Sequence, residues 1–182
     1  MSILFLAVTA HGFDGQRKGF VLGGGVGFSP YSMWSVTANG TVMGHSAVNG
    51  LDESKTGAGV QIIIGYAWDE YNMIVYEGNV TGYKSSMLLD NNSAQGFSGV
   101  AYYRYFGPAG RAFFLTGGVG TYAWKVKEYE ANDPGFGYIA GAGYEFIPHV
   151  QAGAYISGGK TSTDGADFGH THVNIVITAV AF

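Results

Sequence analysis

Large apolar residues alternate with small or polar ones along most of this chain, and nowhere do they recur at helical spacing. The clearest stretch is 100–124, VAYYRYFGPAGRAFFLTGGVGTYAW, which reads as strand, tight turn and strand around Gly107-Pro108-Ala109-Gly110. The same pattern predicts strands at Lys18–Ser29, Gly57–Trp68, Met73–Tyr83, Gln95–Phe106, Ala112–Trp124, Phe136–Phe146, Val150–Gly158 and Gly169–Phe182. Short connections (69–72, 107–110, 147–149) alternate with longer ones (30–53, 84–94, 125–135, 159–168). In an up-and-down sheet this puts every short turn at one end and every long loop at the other. Within the first long loop, Met33, Trp34, Val36 and Val42 are expected to form a short β extension beyond the wall.

Composition narrows the setting. No run of 18 apolar residues exists, which excludes a membrane-spanning helix. Charged residues are 12% against aromatics at 15%, too little charge for an ordinary soluble surface. Spaced alternating runs of about ten residues, with short turns on one side only, are the signature of a transmembrane β-barrel. The expected fold is therefore all-β, an eight-stranded antiparallel up-and-down transmembrane barrel over residues 11–182. Residues 1–10, MSILFLAVTA, read as a signal-peptide remnant ending in Val8-Thr9-Ala10. The competing soluble barrel, a lipocalin-like small-ligand carrier, would put its large apolar face inside. Here the poorer face is mostly Gly, Ser, Thr, Gln and Asn, which suits a narrow lumen. The face rich in Phe, Tyr, Trp, Val and Leu is expected to meet lipid. On this reading Tyr66, Trp68, Tyr103, Tyr105, Tyr144 and Phe146 form an interfacial girdle near the short turns. A net charge of −4 argues against a nucleic-acid partner.

The final strand, HVNIVITAVAF, resembles the C-terminal sorting signal of bacterial outer-membrane barrels, ending in Phe182 but with Val180 where an aromatic is more usual. LGGGVGF, FFLTGGVGTYAW and YIAGAGYEF are similar to the Gly-aromatic strands of small OmpA/OmpX/OmpW-type barrels. The resemblance covers about residues 18–182. It implies a Gram-negative outer-membrane location, with the bilayer, lipopolysaccharide and the assembly machinery as partners. A monomer without cofactor is expected.

Few residues invite chemistry. Glu77, Arg104 and Glu145 are charges within strands, expected together in the lumen as an ion-pair cluster, so that Arg104→Met should lower thermal stability. His170 and His172 share one strand face, and with Asp164 and Asp167 before them they are a candidate weak metal site. The run His170-Thr171-His172-Val173-Asn174 resembles the His-x-Ser-Asn motif of the lipid A deacylase barrels but lacks its Ser. His45-Ser46 has no evident orienting acid. GGGVG and GGVG lack the spacing and the following helix of nucleotide-binding loops. The charged loop with Lys125, Lys127, Glu128, Glu130 and Asp133 is expected to face lipopolysaccharide headgroups. The expected role is structural or interactional, not enzymatic. A lipid A-modifying enzyme and a narrow pore are the alternatives.

Overall fold

The computed structural model describes residues 16–38, 41–49, 57–85, 91–126, 133–163 and 166–182. The expected signal remnant at residues 1–10 lies outside them. Among the described residues nine strands follow one another: β1 (Gly19–Ala38), β2 (Thr41–Asn49), β3 (Gly57–Asp69), β4 (Asn72–Ser85), β5 (Asn91–Phe106), β6 (Ala112–Val126), β7 (Asp133–Ile147), β8 (Val150–Thr163) and β9 (Ala166–Ala181). Every pairing is antiparallel, and β1 pairs with β9, so β1 and β3–β9 close into an eight-stranded barrel. Closure leaves no unpaired strand edge in the membrane, where an unpaired backbone group has no water to bond.

Strand β2 is an extension, not a stave. The lower part of β1 (Gly19–Ser29) pairs with β3. Its upper part (Tyr31–Ala38) pairs on the same edge with β2. Met33 and Trp34 thus lie in an overlong β1, and Val42 lies in β2. Two other long connections are also largely strand: β4 runs to Ser85 and β5 starts at Asn91, and β8 and β9 leave 164–165 between them. Crossing the hydrocarbon takes about 9–11 tilted residues per strand. β1 has 20 and β5 has 16, and the excess rises beyond the membrane. In the upper part of β1 large and polar residues fall on both faces (Tyr31 and Met33 on one, Ser32 and Trp34 on the other), so the ladder continues while the alternation that would reveal it fades.

The outward face is apolar. Val26 is 70%, Phe20 65% and Phe136 64% exposed. An apolar belt on this scale has no place on a soluble carrier, which removes the lipocalin-like alternative. Strand β3 shows the order cleanly: Ala58, Val60, Ile62, Ile64, Tyr66 and Trp68 point out. Strand β5 corrects the expectation. Tyr103 and Tyr105, expected in the lipid girdle, are buried in the lumen, while Val100, Tyr102 and Phe106 face outward. Trp68 stacks on Tyr102, with ring centroids 6.0 Å apart. The lumen is therefore filled by Phe97, Tyr103, Tyr105, Phe114, Tyr122 and Tyr155 as well as small residues.

Glycine makes room for these rings. A Cβ on Gly141 would lie 2.6 Å from the Tyr155 ring, and one on Gly153 would lie 2.8 Å from it. At the short-turn end, Gly110 adopts φ +83°, and a Cβ there would meet Pro148 Cδ at 2.6 Å. The turns β5–β6 and β7–β8 are thus packed directly on one another.

Candidate functional site: a closed lumen

The lumen holds three polar layers. At the short-turn end sits Arg17, just before β1 and 1% exposed. Its Nε donates to Glu145 Oε2 at 2.8 Å, and its Nη2 lies 2.8 Å from the same oxygen. Nη1 donates to the Glu70 carbonyl, and Nη2 to the Gly107 carbonyl at 3.3 Å. The guanidinium lies 4.0 Å above the Tyr105 ring. Glu145 Oε1 in turn accepts from the His149 amide at 3.2 Å. The His149 carbonyl accepts from the Val180 amide at 2.8 Å, and the Phe182 ring packs tilted against that of His149, with centroids 5.0 Å apart. One arginine thus ties the start of β1 to all three short turns, and through His149 to the end of β9.

The middle layer surrounds Glu77. Gln61 Nε2 donates to its Oε1 at 2.6 Å and the Tyr103 hydroxyl to its Oε2 at 2.7 Å. Thr178 donates to Gln61 Oε1 at 2.6 Å. Just above, Asn174 Oδ1 accepts from Thr81 at 2.6 Å, and Asn174 Nδ2 donates to Asn79. These bonds join β3, β4, β5 and β9 across the barrel.

The outer layer is aromatic. Tyr122 and His172 share a hydrogen bond of 2.7 Å, Ser157 lies 3.1 Å from His172 Nε2, and Thr161 lies 2.8 Å from His170 Nε2. Trp34 and Trp124 stack across the lumen at 6.1 Å, and Trp124 also meets His170 at 5.1 Å and Phe168 at 5.4 Å.

The expected cluster of Glu77, Arg104 and Glu145 is not formed. Glu77 and Glu145 lie in the lumen, in different layers. Arg104 points outward, because Tyr103 and Tyr105 take the inward positions of β5. It donates to Asn72 Oδ1 at 2.8 Å and lies near the Tyr71 and Phe106 rings, at 5.5 and 5.8 Å. The cation that pairs with Glu145 is Arg17, which the strand pattern passed over because it precedes the first alternating run. Its parity with Val21, Gly23 and Gly25 was the available signal.

The expected metal set is not assembled either. His170 and His172 are buried, while Asp167 is exposed on the opposite face of β9, and Asp164 lies outside the described residues. Among the described residues no group of three metal-ligating side chains occurs. His45 and Ser46 lie in β2, and Lys127, Glu128 and Glu130 lie outside the described residues. Val180 and Phe182 are 2% and 4% exposed.

Comparison with known proteins agrees with this architecture. Neisserial surface protein A (NspA) superposes with a TM-score of 0.50 at 14% identity, over 88% of this chain and 96% of its own. The attachment invasion locus protein Ail of Yersinia pestis gives 0.41 at 15% identity, over 88% and 99%. OprG of Pseudomonas aeruginosa gives 0.47 at 12% identity, over 92% and 97%. At such identities the likeness to NspA speaks for the fold alone. No curated protein matches the chain. Residues 1–178 match the family described as "Outer membrane protein beta-barrel domain". With that match spanning nearly the whole chain, the protein belongs to the outer membrane protein β-barrel family, and its place is the bacterial outer membrane.

Proposed function

We propose that the protein is a non-catalytic outer-membrane scaffold that works through what it presents on the outer side, above the strand extensions. The observation that carries this reading is the crossed lumen: Arg17–Glu145, Tyr103–Glu77–Gln61 and Trp34–Trp124 each span it at a different height. A pore needs a continuous wet path, and these cross-ties speak against one. A lipid A-modifying enzyme needs a nucleophile and base that reach the acyl chains. His170, His172 and Asn174 face the lumen and are at most 3% exposed, turned away from lipid. Lipopolysaccharide is the proposed neighbour of the outer strand ends. Phe182 and Val180 are the proposed signal for the assembly machinery. Since both are buried in the folded barrel, the signal would be read before closure. The proposed state is a monomer.

Two assays on refolded protein test this role: conductance in planar bilayers and fatty-acid release from lipid A. The expectation is no stepwise current and no release. Sustained current steps would make the protein a pore, and fatty-acid release an enzyme.

A further inference from the structure

Arg104 is a cation that the barrel turns toward the membrane. It lies half-buried on the outward face of β5, between Tyr102 and Phe106. Its height follows from the register. It stands two residues before β5 ends and pairs with Asn72, the first residue of β4. This is the rim at the short turns, and the outward Trp68, Tyr71, Tyr102 and Phe106 beside it suit a membrane–water interface.

The guanidinium is held in place there. Its Nη1 donates to Asn72 Oδ1 at 2.8 Å, and the same oxygen accepts from the Tyr102 hydroxyl. Asn72 Nδ2 in turn donates to both carboxylate oxygens of Asp69, at 2.8 and 2.7 Å. The Tyr71 and Phe106 rings lie 5.5 and 5.8 Å from the guanidinium carbon, within the range at which a ring attracts a cation. The one acid in this network, Asp69, is occupied by Asn72 and by the Tyr71 amide at 2.7 Å. Among the described residues Arg104 forms no ion pair.

A guanidinium carries five N–H donors in a planar fork, and Asn72 takes one of them. An oriented cation with open donors is matched by an oxyanion that accepts two parallel hydrogen bonds, as a phosphate does. The headgroup layer on the short-turn side supplies phosphates at this height. The site sits on the wall, so a headgroup reaches it from the membrane without entering the lumen. The chain as a whole carries −4, so a preference for anionic lipid has to come from a local feature of this kind.

We propose that Arg104, set by Asn72 and flanked by Tyr71 and Phe106, is a seat for the phosphate of an anionic phospholipid in the leaflet on the short-turn side. The seat lies at the end opposite the outer strand extensions, so the inference does not rest on the role proposed above.

Trp68 reports on the site, because it faces lipid and stacks on Tyr102 at 6.0 Å. Trp34 and Trp124 stack in the lumen, away from the acyl chains. The full chain is refolded in phosphatidylcholine vesicles, and part of the lipid is replaced by phosphatidylglycerol or phosphatidylcholine with brominated acyl chains, which quench tryptophan on contact. Brominated phosphatidylglycerol should be preferred about fivefold, the size of one cation's attraction to an anionic headgroup. Arg104→Met should abolish the preference. If that variant fails to show a boiling-dependent mobility shift, Asn72→Ala, which removes the carboxamide that sets the guanidinium, gives the same test. Arg111→Gln, which removes an exposed cation of the β5–β6 turn, should leave the preference intact. So should inorganic phosphate in the buffer, because the seat faces the membrane. Equal quenching by the two lipids in the wild type overturns the proposal. An unchanged preference in Arg104→Met, or an equal loss in Arg111→Gln, overturns it in favour of general charge at the rim. Loss of the preference to inorganic phosphate overturns it in favour of a site for soluble anions.

Discussion

Arg17→Met probes the inner mouth most sharply. The substitution removes a buried cation and leaves Glu145, 2% exposed, without its ion pair. Removing one partner of a buried pair costs about 3–5 kcal/mol, because the remaining charge stays away from water. The Glu70 and Gly107 carbonyls also lose a donor, and Tyr105 loses the cation above its ring. The carbonyls lie at turns that water reaches, so the expected total stays near the ion-pair figure, about 4 kcal/mol. The assay is equilibrium urea unfolding in lipid vesicles, followed by tryptophan emission and by the mobility difference between boiled and unboiled samples. The double variant Arg17→Met/Glu145→Leu supplies the internal control. Replacing both charges with apolar groups of similar size is often neutral, so most of the lost stability should return. A loss below about 1 kcal/mol for Arg17→Met, the range of an exposed pair, would refute the reasoning. So would a double variant as unstable as the sum of the two singles.

Arg104→Met should change stability by less than about 1 kcal/mol, because the guanidinium is outside the lumen and makes one side-chain hydrogen bond; thermal melting in micelles checks this. Tyr103→Phe withdraws a donor from the Glu77 carboxylate and should cost about 1–3 kcal/mol in the urea assay, with Tyr102→Phe as the outward control. Gly153→Val drives a side chain into the Tyr155 ring and should cost about 1–3 kcal/mol or block folding, whereas Ala154→Val on the outward face should be tolerated.

Strands whose two faces differ in kind were legible in the sequence. In β3 and β7, Ile, Tyr, Phe and Trp stand against Gly, Gln and Ala, and one parity fits lipid. In β5 both faces of AYYRYF are aromatic. A tyrosine can sit at a membrane interface or fill a lumen with its hydroxyl bonded, so composition could not choose the face. The single charge, Arg104, then drew the wrong parity inward. What decides is packing: Tyr103 reaches Glu77, and Tyr105 reaches Gln151 at 2.7 Å. The short extension expected around Met33 and Trp34 is the upper part of β1, but the upper ends of β4, β5 and β8 escaped notice for a different reason. Once the outward face leaves lipid, the ladder survives without hydrophobic contrast. Of the candidate site, Glu77 and Glu145 were visible as strand charges, but their partners Gln61, Tyr103 and Arg17 are defined by neighbours distant in sequence.

The central claim is a closed barrel with these faces, and β5 is where it is most exposed to contradiction. The chain has no Cys, so single cysteines can be placed at 100–106 and spin-labelled. Oxygen accessibility of these labels in vesicles, read by electron paramagnetic resonance, reports which positions face lipid. The account predicts maxima at 100, 102 and 106 and minima at 101, 103 and 105. Maxima at 103 and 105, or no period of two, would contradict it.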